Sequence, residues 1–293
     1  MIRKGIIITL FFAMMSLIMG SCNTDRFTGE KERKLRMVYT DWSEGIALTY
    51  LSKILLEDKL GYEVVLKMTD VETAYRELAE DKADVFADAW LPETQKQYYN
   101  RYGNEIDKIG IIYPEARTGL LVPEYSSLKS VADLKDYQYP IIGIDSGAGV
   151  MHKTRMAIKK YALDKRLLNF SEEKMVAHLQ DSIKRRKEVV VTGWEPHWIF
   201  ARHEVRFLND PEGVFGEKEK IFSISRQGLK EKHPHAVRFF ERMQLSEKQL
   251  NNLVYYMRMN EDPLVGIRQW MKQNEYVVNI WVKDLQPQRK KIY

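Results

Sequence analysis

Residues 189–198 read VVVTGWEPHW, and this stretch decides how the rest of the chain is interpreted. Its four β-branched residues predict a buried strand, which Gly193 is expected to break. Pro196 keeps the strand from continuing. Two indoles and an imidazole therefore follow at the carboxyl end of the strand, the edge where open α/β sheets bind ligands. Because an indole face carries negative π density, it suits a cation that has no hydrogen-bond donors.

The composition limits the class of protein. The chain has 293 residues, of which 44% are hydrophobic and 30% charged, so it can bury one large core or two smaller ones. The net charge of +5 is modest, and the charges alternate in sign along most of the chain. A nucleic-acid partner is therefore not expected.

The amino terminus has the organisation of an export signal. Two basic residues precede an apolar run at residues 5–19, and the small residues Gly20 and Ser21 follow. The run is too short to be a stable membrane span. We interpret residues 1–21 as a signal peptide.

Cys22 is the single cysteine of the chain, so the fold has no disulfide to rely on. Its position directly after two small residues resembles the lipobox of bacterial lipoproteins, in which the cysteine becomes the acylated first residue. The alternative is an ordinary signal peptide followed by a chance cysteine. On the lipobox interpretation, residues 22–34 are a lipid-anchored tether and the protein is exported and held at the membrane.

The periodicity of the remaining chain predicts two lobes. Strands at 35–39, 63–68 and 83–89 alternate with amphipathic helices, and this βαβαβ order is typical of a parallel sheet. Short strands at 119–123 and 221–225 are interpreted as the two crossovers. The predicted domains are lobe 1 at 35–120, lobe 2 at 121–222, and a return crossover with carboxyl-terminal helices at 223–293 that pack mainly on lobe 1.

Three tryptophans, Trp42, Trp90 and Trp194, follow three different predicted strands. A single tryptophan is more often a core residue than a binding residue. The shared placement of these three at one sheet edge favours a cage around a quaternary ammonium group instead. Trp270 and Trp281 lie in the helical segment, and we assign both to packing.

A glycine turn, Gly147-Ala148-Gly149, opens a helix directly after a strand. Free backbone N–H groups and the helix dipole at such a position favour an anion. The turn lacks the features of a phosphate loop or a dinucleotide fingerprint, so a small carboxylate fits better than a nucleotide. An ordinary tight turn is the alternative. A donor-free cation joined to a carboxylate describes a betaine.

Other polar residues give weaker signals. His197 can donate to a ligand carboxylate, and the alternative is a hydrogen-bonded structural histidine. Glu195 can add negative charge near the cation or simply face solvent. Asp84 and Asp88 lack further ligands at metal-binding spacing. We find no nucleophile or metalloprotease motif, so neither an enzyme, a metal nor a cofactor is expected.

The motifs together resemble the substrate-binding proteins of glycine betaine/proline betaine ABC importers. They include DWSEGIAL at 41–48, DVFADAWLPETQ at 84–95, IIGIDSGAGVM at 141–151 and VVVTGWEPHWIF at 189–200. The resemblance implies an α/β, two-lobed periplasmic binding protein of type II. Each lobe would be a mostly parallel sheet flanked by helices, with a helical carboxyl-terminal segment. The implied partners are a small quaternary-ammonium ligand and a membrane permease driven by an ATPase, and a monomer is expected.

The resemblance also implies roles for individual residues. It assigns the same three tryptophans to a cage around the cation, and the backbone amides of Gly149 and Val150 to the carboxylate. Gln95 stands where the family usually has a histidine that contacts the carboxylate. A glutamine amide can donate a hydrogen bond but cannot become charged, so ligand choice is open.

Three classes of function have to be compared. The leading hypothesis is a lipid-anchored binding protein for betaines. Because Gln95 weakens the inherited carboxylate contact, a binder that prefers choline or carnitine is the alternative of the same type. A surface enzyme acting on such solutes needs a nucleophile that the sequence does not offer, and a structural or sensory lipoprotein would have a cleft that binds nothing.

Overall fold

The first lobe begins with strands and helices in alternation, as the periodicity predicts. The computed structural model describes residues 33–285. β1 lies between β2 and β3 and is parallel to both. Asp70 caps the second helix as expected, since its carboxylate accepts from the Thr73 N–H at 2.9 Å. The elements are β1 (Lys34–Tyr39), α1 (Ser43–Leu60), β2 (Glu63–Met68), α2 (Val71–Ala79), β3 (Val85–Leu91) and α3 (Lys96–Tyr102), followed by a 3₁₀ turn (Gly103–Glu105).

The middle of the chain forms shorter strands and two amphipathic helices. A long strand leads into it, and β7 carries the stretch from which the sequence was interpreted. The elements are β4 (Ile106–Pro123), a 3₁₀ turn (Val131–Lys135), β5 (Ile141–Gly143), α4 (Gly149–Lys160), β6 (Leu167–Asn169), α5 (Glu172–Lys184), β7 (Val191–Glu195), a 3₁₀ turn (Trp198–Ala201) and β8 (Val205–Phe207).

The carboxyl-terminal part returns to the first sheet and then becomes helical. Its later helices pack against α1 and β4, and α8 also reaches the 3₁₀ turn after β7. Trp270 and Trp281, which the sequence assigned to packing, are buried there with ring centroids 6.4 Å apart. The elements are β9 (Glu219–Arg226), α6 (Leu229–Lys232), α7 (Pro234–Arg242), α8 (Glu247–Met259), α9 (Pro263–Gln273) and α10 (Glu275–Val282).

β4 connects the two parts of the sheet. Its first half, from Ile106 to Ala116, pairs with β9, and its second half, from Arg117 to Leu121, pairs with β7. The strand order is β2-β1-β3-β9-β4-β7-β5-β6, with β8 also on β4. We place the first crossover at this change of partner. Lobe 1 below means the elements on the β9 side together with the carboxyl-terminal helices, and lobe 2 means residues 117–215.

The sheets are more mixed than expected. Parallel pairs join β1 to β2 and β3, and β5 to β6 and β7, whereas β4 and β9 run antiparallel to their neighbours. β9 already lies between β3 and β4 in lobe 1, so the chain returns before Glu219 rather than at the predicted crossover at 221–225.

β7 corrects one prediction. Gly193 does not break the strand, which runs from Val191 to Glu195 and stops immediately before Pro196. Gly193 pairs with Gly119, and a Cβ at this position would collide with the side chain of Leu121. The missing side chain therefore leaves room for the Leu121 side chain on the neighbouring strand.

The α/β class and the helical carboxyl-terminal segment are confirmed. None of the helices within residues 33–285 combines the length and apolar character needed to cross a bilayer. The predicted signal peptide and Cys22, with most of the tether, lie outside the described residues.

Candidate functional site

Trp42, Trp90 and Trp194 line one pocket. Trp42 directly precedes α1, whereas Trp90 and Trp194 are the next-to-last residues of β3 and β7 rather than residues beyond them. The lining residues are Trp42, Glu44, Trp90, Thr94, Gln95, Thr118, Ile144, Ala148, Gly149, Val150 and Trp194.

Hydrogen bonds fix two of the three indole rings. The Nε1–H of Trp42 donates to the Asp145 carboxylate at 2.9 Å, which joins the start of α1 in lobe 1 to the turn after β5 in lobe 2. The Nε1–H of Trp90 donates to Asp88 at 2.9 Å. All three rings are at most 8% exposed. Because the N–H edges of these two rings are engaged by carboxylates, their π faces are what they can offer a ligand.

Glu44 is a pocket residue that sequence reasoning missed. It lies in the first turn of α1 and is 2% exposed. Burial raises its pKa well above the usual range, the charges of Asp88 and Glu172 add to the rise, and Trp194 opposes it. The signal was an acid two positions after a predicted cage residue. That signal is ambiguous, since an acid in a first helical turn is also favoured by the helix dipole.

Asp88 is a second buried acid, bonded to the pocket residue Trp90. It is fully buried, and its second carboxylate oxygen, Oδ2, has no hydrogen-bond partner among the described residues. Burial raises its pKa to about 7, and the charge of Glu172 contributes, while the Trp90 hydrogen bond acts in the opposite direction. Glu44 at the pocket and Asp88 next to Trp90 are therefore two acids whose pKa burial raises.

The glycine turn places the amino terminus of α4 at the pocket. Ala148 is extended and supplies no side-chain cap, and the helix begins at Gly149. A Cβ on Gly149 would collide with the Thr94 carbonyl oxygen, so the glycine allows α4 to lie directly against the loop after β3. The first N–H groups of a helix have no intrahelical acceptor, and those of Gly149 and Val150 are at the pocket.

Gln95 is fully buried and lines the same pocket. Its Oε1 accepts from the Tyr75 hydroxyl at 3.0 Å, and its Nε2 donates to the Asp88 carbonyl at 3.2 Å. The amide therefore has a fixed orientation, and its second N–H remains for a ligand.

His197, which the sequence offers as a donor to a ligand carboxylate, is not among the residues that line the pocket. Its Nδ1 accepts from the Ile199 N–H at 3.1 Å, which leaves the ring proton on Nε2, 3.1 Å from Glu172. These contacts match the alternative interpretation of His197 as a hydrogen-bonded structural histidine. Glu195 likewise lies outside the pocket and pairs with Arg117 at 2.7 Å.

A buried ion pair adjoins the pocket, and no sequence pattern predicts it. The Lys153 ammonium of α4 contacts Glu219 at 3.4 Å, the Phe215 carbonyl at 2.8 Å and the Thr118 hydroxyl at 3.2 Å. Burial lowers the pKa of Lys153, and Glu219 opposes that effect. The Glu219 carboxylate also accepts from the Thr94 N–H and hydroxyl, so the pair connects α4 to two pocket-lining threonines.

Within residues 33–285 no cluster of three or more His, Cys, Asp or Glu side chains is placed to hold a metal ion. Asp84 instead accepts from Arg36 at 2.8 and 3.0 Å and from Arg226 at 2.8 Å. Burial opposes ionisation, but these hydrogen bonds hold the pKa of Asp84 at about 2.

Comparisons with known proteins give a consistent result. A family model described as the substrate binding domain of ABC-type glycine betaine transport systems matches residues 33–273. The chain is 33% identical over 179 residues to the glycine betaine/carnitine transport binding protein GbuC of Listeria monocytogenes. That alignment covers 60% of this chain and 59% of the relative.

Two solved structures are similar over most of the chain. One is lactococcal OpuAC in a closed conformation complexed with glycine betaine, with a TM-score of 0.82 and 30% identity, covering 86% of this chain and 100% of that one. The other is the glycine betaine/L-proline-binding protein ProX of Borrelia burgdorferi, with a TM-score of 0.81 and 28% identity, covering 86% and 97%.

Proposed function

This chain belongs to the family of substrate-binding domains of ABC-type glycine betaine transport systems, and from that premise we propose that it captures glycine betaine or a related quaternary-ammonium solute outside the cytoplasm for an importer. It has the two-lobed fold of type II periplasmic binding proteins, as predicted. The proposed partners are a permease and its ATPase. Lipidation of Cys22 and a monomeric state are part of the same proposal.

The observation that carries the proposal is one pocket bordered by indoles from both lobes. Trp42 and Trp90 belong to lobe 1 and Trp194 to lobe 2. A quaternary ammonium group has no N–H to donate, so ring faces can hold it where hydrogen-bond acceptors cannot. Glu44 lines this pocket and Asp88 is bonded to the Trp90 ring, so a bound cation would favour the ionised form of both acids.

We place the carboxylate of the ligand at the other side of the pocket. There the N–H groups of Gly149 and Val150 at the start of α4 are available, together with the helix dipole. The second N–H of Gln95 can add one donor. A betaine thus satisfies both sides of the pocket, whereas choline has no carboxylate for the helix terminus.

Isothermal titration calorimetry tests the proposal with glycine betaine, proline betaine, carnitine and choline. We expect saturable one-to-one binding of a betaine, tighter than that of choline at neutral pH, with a change in tryptophan fluorescence and no product formed. The proposal fails if all four solutes leave both the fluorescence and the melting temperature unchanged. Turnover of any of them would favour the enzyme hypothesis instead.

The acids Glu44 and Asp88 give the choline-preferring alternative a specific basis. The pH dependence of affinity distinguishes a choline binder from a betaine binder. A bound cation favours the ionised forms of Glu44 and Asp88, so binding releases protons and tightens as pH rises through the free-state pKa of Asp88 at about 7. We expect choline affinity to rise about tenfold between roughly pH 5.5 and 8.5, the effect of a one-unit pKa shift. Glycine betaine should respond less, because its own carboxylate offsets the charge.

The matched variant for this pH effect is Asp88→Asn, which keeps the shape of the side chain and an oxygen to accept from Trp90 but cannot ionise. It should flatten the choline profile measured by calorimetry at several pH values. An unchanged slope in the variant would show that Asp88 does not sense the cation.

A further inference from the structure

Glu172 is a buried carboxylate that does not line the pocket, yet it joins both lobes. It is the first residue of α5 in lobe 2 and is 6% exposed. In lobe 1 the Ser43 N–H donates to it at 2.7 Å, and the Ser43 hydroxyl donates to its other oxygen. His197 and Arg258 approach the same carboxylate at 3.1 and 3.9 Å. We call these four residues the Glu172 network.

The network is attached to the helix that follows Trp42. Ser43 is the first residue of α1, so Glu172 docks on the amino terminus of an 18-residue helix, where N–H groups and the dipole favour a carboxylate. Trp42 is the residue immediately before that helix. The position of the helix end relative to lobe 2 therefore sets the position of one proposed cage wall.

The network is also attached to Trp194 of lobe 2. The His197 ring packs edge-on against the Trp194 ring at 4.7 Å between centroids and 85° between planes. On its other side His197 stacks on Trp198 at 5.7 Å. Because His197 is held by Glu172, the same carboxylate restrains a proposed cage wall of the second lobe.

The carboxyl-terminal helices supply the counter-charge. The Arg258 guanidinium of α8 donates to the Ser43 hydroxyl at 2.9 Å and lies 4.8 Å from the centre of the Trp198 ring. Burial disfavours the ionised form of Glu172, but the hydrogen bonds from His197 and Ser43 outweigh it and hold the pKa at about 2. Asp41, Glu44 and Asp88 face Glu172 with like charge.

Opening of the lobes would break these contacts. Rotation of one lobe away from the other would remove both Ser43 donors and would separate Arg258 from Trp198. The carboxylate would then regain water, so the contacts distinguish the closed form from the open one.

We propose that Glu172 is a positioning residue for ligand binding, whose carboxylate latches the start of α1 to lobe 2 and so holds Trp42 and Trp194 at cage spacing. The proposal rests on the proposed function, since it concerns the affinity for a quaternary-ammonium solute. Glu172 acts through Ser43 and His197 and does not touch the ligand.

The test is Glu172→Gln in the full chain, with glycine betaine as the probe. We expect at least a tenfold loss of affinity by calorimetry, expressed mainly as faster release in stopped-flow fluorescence, because the lost contacts form on closure. The melting temperature of the unliganded protein should stay near that of the parent. Small-angle scattering should show a smaller ligand-induced decrease in the radius of gyration.

Asp84→Asn is the matched control. Asp84 is a second buried carboxylate with a pKa of about 2, but all of its partners lie in lobe 1. Its substitution should lower the melting temperature of the unliganded protein and leave the glycine betaine affinity unchanged. A purely structural Glu172 would behave in the same way.

Ser43→Ala provides a second route if Glu172→Gln does not fold. It removes the hydroxyl's bonds to Glu172 and Arg258 but keeps the N–H bond to Glu172. It should weaken binding by about tenfold, the low end for a bond to a charged acceptor. When both changes are combined, the losses should not add, because both act on the contact between Ser43 and Glu172.

The outcomes are distinguishable. If the parent binds glycine betaine and both variants bind it equally well, the latch is rejected while the proposed function stands. If Glu172→Gln lowers the unliganded melting temperature as Asp84→Asn does and leaves the affinity unchanged, the residue is only structural. If the parent binds none of the four solutes, the proposed function itself fails and the latch falls with it.

Discussion

Trp194→Ala is expected to weaken glycine betaine binding by at least tenfold. Trp194 is the indole that lobe 2 contributes to the pocket and is 3% exposed. A well-placed ring contributes about 0.5–2 kcal/mol to holding a desolvated cation. Loss of apolar contact with the methyl groups adds about 0.8 kcal/mol for each methyl-sized group left uncovered. A tenfold change needs about 1.4 kcal/mol, and the two effects together exceed it once two methyl groups are uncovered, since their sum is then at least about 2.1 kcal/mol. Calorimetry with parent and variant measures the change.

Two control variants distinguish the loss of a cage residue from the loss of a core residue. Trp194→Phe keeps an aromatic face and should bind more tightly than Trp194→Ala but less tightly than the parent. Trp270→Phe changes a fully buried indole among the carboxyl-terminal helices. It should lower the melting temperature without changing affinity. Equal affinity of Trp194→Ala and the parent would remove Trp194 from the cage.

Much of the fold was predictable because it depends on local signals. Hydrophobic periodicity and caps predicted the alternating elements of lobe 1, and Asp70 caps its helix as expected. β4 shows where this reasoning stops. Only 119–123 was recognised as a strand, whereas the strand begins at Ile106 and shifts register several times against β9. Gly110 and Pro114 interrupt the sequence pattern. Gly110 is needed because a Cβ would collide with the Phe240 carbonyl, which is a partner distant in sequence.

The residues of the candidate site were likewise predictable only where they carry a local sequence signal. The tryptophans were recognisable because strand-end placement is a sequence property, and the structure brings all three to one pocket. Glu44, Lys153 and Glu172 were not recognisable, because an acid or a lysine in an amphipathic helix normally faces solvent. What makes each one unusual is a partner far away in the sequence. His197 could not be assigned from sequence for the same reason, since Glu172 holds it away from the pocket.

Lys153→Met is expected to reduce the free energy of unfolding by about 3 kcal/mol, the low end of the range for breaking a buried pair. Lys153 is 5% exposed, and its ammonium lies 3.4 Å from the buried Glu219 carboxylate. Three N–H and O–H donors from Glu93 and Thr94 still reach Glu219 in the variant, and they keep the loss at the lower end. Chemical denaturation of the unliganded protein measures the change.

Lys218→Met is the matched control for Lys153→Met. It shows whether the loss of stability depends on the distance between the paired charges or on their burial. Lys218 lies 2.7 Å from Glu115, closer than the 3.4 Å of the buried pair, but both partners are more than half exposed. Water already solvates these charges, so the control should change stability little. Lys153→Met combined with Glu219→Gln should recover part of the loss, since no buried charge is then left unpaired. Similar losses from Lys153→Met and Lys218→Met, or no recovery in the double variant, would contradict an electrostatic link between α4 and the loop after β3.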